Sequence, residues 1–342
     1  MIQPSPHPRQ APRVGITAVG SSLPETVLTS EQLQQRLAAE SDLRLPPGMV
    51  TRMTGIMRRR IAADDEYAST LAVRAARQAL ASARLAPADV DLLLFASASR
   101  DMVEPATAHI VQAELGSRAH ALDVTNACNS FLNGIDLARS LILAGRARRA
   151  LVVTGETPTR SMRRRVGSLA EARAAFAGFT FGDAGAAVVL EEVDTGGIVD
   201  VDTETFSEHW TVGGIPGGGS RHPRGDEHTY FQGDGHALRR VFEEVGADIL
   251  DRVRTRTGFG WDDYAKVLVH QVTFPYLERF VEVTGVPKEK LEVTVTEFGN
   301  LASATIGLQL ARIAPSLRRG DRVLMVGLGG GISLMTMVWE KS

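Results

Sequence analysis

The chain has little of several features that would define other classes of protein. Its 342 residues include one cysteine, which excludes an intrachain disulfide and fits a reducing, cytoplasmic compartment. Only 6% of the residues are aromatic, and because no run of 18 apolar residues exists, no membrane span is expected. The net charge of −2 argues against nucleic acid as the main partner. A hydrophobic content of 44% indicates a globular protein with room for two core units.

Strand-like apolar runs alternate with helical patterns, which predicts an α/β fold with both sheet faces covered. Residues 1–12, rich in Pro and Gln and without the order of a signal peptide, are expected to be a disordered tail. The predicted strands are 14–19, 91–96, 121–124, 150–155, 186–191, 266–270, 291–295, 322–327 and 334–340. The predicted helices are 31–39, 69–83, 107–115, 131–144, 237–257, 274–284 and 303–316.

Two predicted strands in the first half of the chain have similar sequences in the second half, and the distance along the chain is nearly the same for both pairs. This pattern suggests an internal duplication. The sequence RALVV at 149–153 returns as RVLMV at 322–326, and DLLLFA at 91–96 resembles AKVLVH at 265–270. We therefore predict an N-terminal half over residues 13–195 and a C-terminal half over 196–342. Chance similarity between buried strands is the alternative.

The single cysteine, Cys128, lies between a predicted strand and a predicted helix. Because a helix N-terminus favours the nucleophilic thiolate, this position predicts an activated thiol. His270 ends a predicted strand, where α/β folds place functional groups. If the sequence separation between Arg149 and Arg322 is added to the position of Cys128, the corresponding residue is Leu301. Leu301 stands beside Asn300, in a second turn that leads into a helix. Cysteine, histidine and an amide together suit acyl transfer.

Each of these residues also has a structural interpretation. A lone cysteine is often a small buried hydrophobic residue. His270 fits a core histidine with satisfied hydrogen bonds, and Asn300 fits a turn residue or an N-cap.

The motifs around these residues resemble the thiolase superfamily, in its ketoacyl synthase III branch. They are DVxxAC at 123–128, FGDAGA at 181–186, VHQ at 269–271, GNLAS at 299–303 and GGG at 329–331. The resemblance covers residues 14–339 and implies the thiolase fold, two pseudo-twofold related halves in αβαβα layers, normally as a homodimer. It implies acyl-CoA or acyl carrier protein thioesters as substrates, in fatty acid or polyketide biosynthesis. No bound cofactor and no metal are expected.

Two departures narrow this resemblance. Met49 and Met53 stand where housekeeping ketoacyl synthase III enzymes carry the Trp and Arg that grip the coenzyme A adenine, so cofactor-binding residues stay unassigned. The cysteine is followed by Asn129 and Ser130 instead of Ala-Gly. The motifs RLPPG at 44–48, RDMVEPATA at 100–108 and ACNSFLNG at 127–134 are similar to the OleA-type thiolase, which joins two fatty acyl-CoA molecules.

The OleA-type resemblance implies that Glu104 crosses into the partner subunit's active site and acts as a base. The expected reaction is a non-decarboxylative Claisen condensation that gives a β-ketoacyl product. Cys128 is acylated, Glu104 removes an α-proton from a second acyl thioester held by His270 and Asn300, and the carbanion attacks the acyl-cysteine. The N–H groups of Cys128 and Gly331 are the expected oxyanion hole. A helix N-terminal acid before a proline is the alternative for Glu104.

Other functions remain open at this point. A decarboxylating 3-oxoacyl-carrier-protein synthase III would use a malonyl group and need no base. A natural-product acyltransferase would use Cys128 and His270 to acylate a hydroxyl or amine. A non-catalytic subunit would donate Glu104 to a related chain. The sequence leaves open the acyl chain length and the choice between coenzyme A and a carrier protein.

Overall fold

The computed structural model describes residues 12–41, 45–245 and 247–342, except for the side chains at 236, 245 and 247. Residues 1–11 of the predicted tail and Arg44 of the RLPPG motif lie outside the described residues.

The described residues form strands and helices in alternation. The strands are β1 (Arg13–Ser22), β2 (Thr26–Thr29), β3 (Arg58–Ile61), β4 (Leu92–Ala96), β5 (His120–Val124), β6 (Arg149–Glu156), β7 (Ala184–Val193), β8 (Gly197–Thr205), β9 (Gly213–Gly214), β10 (Gln232–Gly233), β11 (Tyr264–Val269), β12 (Arg322–Gly329) and β13 (Ser333–Glu340). The helices are α1 (Ser30–Glu40), α2 (Met49–Thr54), α3 (Ala68–Ala83), α4 (Thr107–Leu115), α5 (Ser130–Leu143), α6 (Leu169–Ala175), α7 (Gly235–Val245), α8 (Ala247–Thr257), α9 (Phe274–Thr284), α10 (Val295–Phe298) and α11 (Ala304–Ile313).

The two main sheets share one internal order. The first runs β1-β7-β6-β4-β5 and the second β8-β13-β12-β11. In each sheet the first two pairings are antiparallel and the next is parallel. The place of β5 in the second sheet is taken by one parallel bridge between Leu291 and Val267. The sheets are thus the cores of two related halves; the boundary at 195/196 stays a prediction.

Five layers stack in the order helix, sheet, helix, sheet, helix. Helices α5 and α11 fill the middle layer, where their apolar residues meet the inner faces of both sheets in one core. Helices α3 and α4 cover the outer face of the first sheet, and α7, α8 and α9 cover the outer face of the second. Among the described residues, no helix is long and apolar enough to cross a membrane.

The predicted strand at 291–295 is wrong. Only Leu291 takes part in a bridge, and α10 begins at Val295. The side-chain oxygen of Gln271 accepts hydrogen bonds from the N–H groups of Thr294 (2.9 Å) and Val295 (3.0 Å). A buried side chain therefore satisfies backbone groups that a strand would have paired with a neighbouring strand.

Two further differences concern the C-terminal half. The single helix predicted at 237–257 is the pair α7 and α8. Strand β8 was not predicted, because its alternate residues Asp200, Asp202 and Glu204 are acidic. These carboxylates form ion pairs with Arg252 and Arg256 of α8, which makes a charged sequence compatible with a covered sheet edge.

Helix α3 lies directly against the first sheet because glycines on three adjacent strands leave room for its backbone. The closest approach is at Gly155 of β6, where an added Cβ would lie 1.8 Å from the carbonyl oxygen of Ala68. At Gly20 of β1 and Gly185 of β7 the corresponding distances to α3 carbonyl oxygens are 2.2 Å and 2.4 Å. Any side chain at these positions must push the helix away from the sheet.

We expect Gly155→Ala to lower the free energy of unfolding by about 1–3 kcal/mol, because the new methyl overlaps the α3 backbone. Gly219→Ala is the control, since an added Cβ there meets nothing within 4 Å. Urea unfolding followed by circular dichroism measures both variants. Equal stability of the two variants would contradict the packing argument.

Candidate active site

The nucleophile turn joins β5 to α5. Cys128 is half-buried and follows Ala127, which adopts a left-handed backbone (φ 47°) that residues other than glycine seldom occupy. The Ser130 hydroxyl accepts a hydrogen bond from the Asn126 N–H (2.8 Å) and donates one to the Ala127 carbonyl (2.7 Å). These local bonds hold the strained turn in place.

The environment of the thiol opposes the activation that the helix N-terminus favours. Burial, followed by the negative charge of Glu156, raises the pKa of Cys128 to about 12. The N–H groups of Gly330 and of Cys128 itself hydrogen-bond the sulfur and act in the opposite direction. Desolvation and a nearby carboxylate outweigh the helix N-terminus, so the free protein holds a protonated thiol at neutral pH.

The second turn joins the short helix α10 to α11 and carries Asn300. The Asn300 backbone is clamped on both sides, since its N–H donates to the Thr180 carbonyl (2.8 Å) and its carbonyl accepts from the Gly182 N–H (3.0 Å). Its side-chain oxygen accepts the Ala302 N–H (3.0 Å). The Asn300 amide therefore has its NH₂ group left to donate to a substrate oxygen.

His270 follows β11 and is buried beside the same turn. Its backbone N–H donates to the Val326 carbonyl (2.9 Å), which extends the pairing of β11 with β12 by one residue. Burial lowers the pKa of His270 to about 4, although the Ala302 backbone, which hydrogen-bonds the ring, acts in the opposite direction. Its Nδ1 has no hydrogen-bond partner among the described residues. At neutral pH the imidazole is uncharged, and it can donate one hydrogen bond and accept another.

The two turns are structural counterparts. Ala302 has the same left-handed backbone as Ala127 (φ 46° and 47°), and the residue after each of them precedes a central helix. The counterpart of Cys128 is therefore Ser303, two residues beyond the Leu301 that the uniform strand separation indicates. An added Cβ at Gly307 of α11 would lie 3.1 Å from the Phe131 ring of α5, so the first turns of the two central helices, which follow the cysteine turn and the asparagine turn, meet in the middle layer.

Asn129, a departure from the usual cysteine motif, ties the nucleophile turn to the C-terminal half. Its amide nitrogen donates to the carbonyl (2.8 Å) and hydroxyl (2.9 Å) of Ser333. The fit requires glycine at Gly327, where an added Cβ would lie 2.0 Å from the Asn129 Oδ1. The bond fixes the β12–β13 loop, which includes Gly330 and Gly331. The Gly331 assignment to the oxyanion hole stays a prediction; the loop N–H on the sulfur is that of Gly330.

Sequence reasoning missed Glu156, the last residue of β6. It is fully buried and accepts hydrogen bonds from the hydroxyl of Ser97 (3.0 Å) and the N–H groups of Ala98 (2.7 Å) and Ser99 (3.0 Å). The Ser303 hydroxyl also donates to it. An acidic residue that ends an otherwise apolar strand was the signal in the sequence.

Glu104 lies apart from the buried residues, on the exposed loop between β4 and α4. Among the described residues it has no hydrogen-bond or ion-pair partner. The base of the loop is anchored, because Asp123 accepts the N–H groups of Thr107 (2.9 Å) and Ala108 (2.8 Å) at the start of α4. Next to Glu104, Met102 and Val103 are 45% and 65% exposed.

The fold, with a cysteine turn before one central helix and an asparagine turn beside a buried histidine before the other, is that of the thiolase-superfamily condensing enzymes. Patterns of the family described as 3-oxoacyl-[acyl-carrier-protein] synthase III match residues 122–207 and, for its C-terminal part, 255–341. The beta-ketoacyl-[acyl-carrier-protein] synthase III of Methylococcus capsulatus is 32% identical over 93% of this chain and 96% of its own length. The protein of the same name from Desulfitobacterium hafniense is 32% identical over 96% of this chain and 98% of its own length.

Solved structures agree with the sequence relatives. A cysteine variant of Xanthomonas campestris OleA, solved with lauric acid and lauroyl-CoA, has a TM-score of 0.87 at 26% identity, covering 97% of this chain and all of that one. The 3-oxoacyl-[acyl-carrier-protein] synthase III of Aquifex aeolicus has a TM-score of 0.82 at 26% identity, and the match covers 96% of this chain and 99% of that one. This chain belongs to the ketoacyl synthase III family and is a condensing acyltransferase.

The raised pKa of Cys128 predicts how the thiol reacts with iodoacetamide. We expect the alkylation rate to keep rising beyond about pH 10, because the thiolate stays a minority below the thiol pKa of about 12. Mass spectrometry of the intact chain measures the rate cleanly, since Cys128 is the only cysteine. A plateau reached near about pH 8 would instead support the activated thiol expected from the helix N-terminus.

The Asn129 link predicts a loss of stability on truncation. Asn129→Ala removes both hydrogen bonds to Ser333 and leaves buried polar groups unpaired, so the free energy of unfolding should fall by about 1–3 kcal/mol. Asn133→Ala is the control, because Asn133 is only partly buried and contacts Asn126 and the Met335 sulfur. If the two variants unfold at the same urea concentration, the Asn129 link is not a main tie between the halves.

Proposed function

We propose that this protein condenses two fatty acyl thioesters by a non-decarboxylative Claisen reaction, with Glu104 of one subunit serving the Cys128 of its partner. The observation that carries the proposal is the unpartnered carboxylate of Glu104 on an anchored, exposed and partly apolar loop. An acyl group without a second carboxyl cannot become a carbanion by losing carbon dioxide. A base must therefore remove its α-proton.

In the first half-reaction, the Cys128 sulfur attacks the acyl carbonyl and the carrier thiol leaves. The thiol proton passes to the neutral His270 and then to the departing thiolate, so the enzyme ends as an uncharged acyl-cysteine. Backbone N–H groups at Cys128 and in the loop of Gly330 and Gly331 stabilise the oxyanion.

In the second half-reaction, His270 and the NH₂ group of Asn300 donate hydrogen bonds to the carbonyl of a second acyl thioester. They stabilise the negative charge that develops on this oxygen when Glu104 takes the α-proton. The carbanion then attacks the acyl-Cys128 carbonyl to form the new carbon–carbon bond, the cysteine sulfur leaves as a thiolate, and the proton taken by Glu104 returns to it. The product is a β-ketoacyl thioester.

The solved OleA structures support these assignments. They include variants of a cysteine, of a histidine that follows it and of a glutamate that precedes it. The spacing from that cysteine to that histidine equals the spacing from Cys128 to His270, and the glutamate precedes the cysteine at nearly the spacing of Glu104 from Cys128. The lauroyl-CoA seen with OleA supports a long-chain acyl thioester as the substrate class here.

The crossing of Glu104 requires a dimer, which the sheet order favours. Strand β5 is the last strand of the first sheet, and no described strand pairs with its outer edge. Such an edge can pair with the same strand of a second copy about a twofold axis. Because α4 runs from the Glu104 loop into β5, this pairing would carry Glu104 toward the partner.

We expect Glu104→Gln to abolish acyl–acyl condensation, by at least about 100-fold, while acyl-Cys128 still forms. The neutral amide keeps the size of the side chain and removes its basicity. Lauroyl-CoA is the substrate, product release is followed by mass spectrometry, and Glu114→Gln on the exposed face of α4 is the control. If the variant and the wild type both turn over malonyl carrier at the same rate, the decarboxylating synthase is the correct function instead.

A mixing experiment tests whether Glu104 acts in its own subunit or in the partner. Glu104→Gln and Cys128→Ala homodimers should each be inactive in condensation. After subunit exchange, each mixed dimer has one complete site, so about a quarter of wild-type activity should return. No recovery in mixed dimers, confirmed by native mass spectrometry, would place Glu104 outside the partner's site.

A further inference from the structure

Glu156 is a buried carboxylate that the proposed reaction does not use. It is 0% exposed, and its four hydrogen-bond donors are the neutral groups of Ser97, Ala98, Ser99 and Ser303. No arginine, lysine or histidine among the described residues forms an ion pair with it. Burial of a carboxylate without a cation lowers the stability of the fold. We therefore expect Glu156 to have a structural or functional role at this position.

One of the four donors connects Glu156 to the asparagine turn. The Ser303 hydroxyl contacts the carboxylate and lies 2.7 Å from the Thr154 hydroxyl. Ser303 follows Ala302, whose left-handed backbone is strained and whose backbone contacts both Asn300 and His270. The bond to Ser303 therefore restrains the residue on which both substrate-binding side chains rest.

The same carboxylate also acts on Cys128, the nucleophile of its own N-terminal half. Its charge opposes ionisation of the Cys128 thiol. Among the described residues, Glu156 is the charged group that acts on this thiol, and His270, at the end of β11, is uncharged at neutral pH. On the side of the cysteine turn, Glu156 accepts the Ser97 hydroxyl, and the Ser97 N–H donates to the carbonyl of Val124 (3.2 Å), the last residue of β5 before that turn.

We propose that Glu156 is a positioning residue with two effects: it holds the turn of Asn300 and Ala302 through Ser303, and its charge adds to burial in holding the Cys128 thiol protonated until an acyl donor binds. A protonated thiol reacts slowly with oxidants and adventitious electrophiles. The enzyme would then form its thiolate only when the acyl donor is in place. The second effect deepens the proposed function, and only the condensation readout below rests on that function.

Three variants separate the charge of Glu156 from its hydrogen bonds. Glu156→Gln removes the charge and keeps the size, Glu156→Asp keeps the charge on a shorter side chain, and Ser303→Ala keeps the charge and cuts the link to the turn. Glu191→Gln is the control, because it removes a carboxylate beside Arg149 at the opposite end of β6, about 23 Å away along the strand.

Alkylation of Cys128 by iodoacetamide tests the effect of the charge without any acyl donor. In Glu156→Gln the pH profile should move to lower pH. A thiol pKa lower by one gives about tenfold more thiolate at fixed pH but only about threefold faster alkylation, because that thiolate is a weaker nucleophile. Glu156→Asp, Ser303→Ala and Glu191→Gln should not move to lower pH. An unchanged profile in a folded Glu156→Gln variant overturns the protonation effect, whatever the fate of the proposed condensation.

Acylation and condensation, measured separately with lauroyl-CoA, test the positioning effect. Ser303→Ala should lose at least about tenfold more in condensation than in acylation of Cys128, because acylation uses only His270 of the two side chains that rest on Ala302, whereas condensation uses both. Equal losses in both steps, or no loss, overturn the positioning role. If Glu156→Gln does not fold by circular dichroism, Glu156→Asp decides: a lost condensation step with an unchanged alkylation profile supports the proposal, and unchanged condensation overturns it.

Discussion

The structure depends on the burial of two helices, α5 and α11, between two sheets. Each sheet has an apolar inner face that needs cover, and each helix supplies apolar residues on opposite sides, so all four elements share one core. The first turns of these helices meet in the middle layer, where an added Cβ at Gly307 would lie 3.1 Å from the Phe131 ring. The turns that carry Cys128 and Asn300 therefore lead into neighbouring helix starts, although they belong to different halves of the chain.

Duplication explains how such a site can arise from two similar halves. Each half supplies a strand, a left-handed alanine and a helix start, but the halves differ in the residue after the alanine, which is a cysteine in one and a serine in the other. The serine contacts a buried carboxylate that also influences the thiol. A symmetric backbone thus carries an asymmetric set of side chains, with a cysteine at one turn and an asparagine and a histidine at the other.

In the free protein, the side chains of Cys128 and His270 are both uncharged. Burial holds His270 neutral, and burial with Glu156 holds Cys128 protonated, so neither group carries a charge at neutral pH in the free protein. Such a site avoids the cost of a buried ion pair before the substrate arrives. In the proposed reaction, charge then develops on the substrate oxygen, where N–H donors stabilise it. In the free protein, the uncharged state of both groups is a consequence of desolvation more than of any single hydrogen bond.

The sequence alone determined the α/β class, the thiolase-like halves and most element positions, because continuous apolar strands and amphipathic helices have distinct periods. It also indicated Cys128, His270 and Asn300, because nucleophilic and polar residues stood at strand ends and helix starts. Only the tertiary structure revealed Glu156, Ser303 and Asn129 as links between the halves, and the burial and nearby charge that raise the pKa of Cys128. Those properties depend on which atoms surround a group after folding, since a pKa or a long-range hydrogen bond is fixed by neighbours distant in the chain.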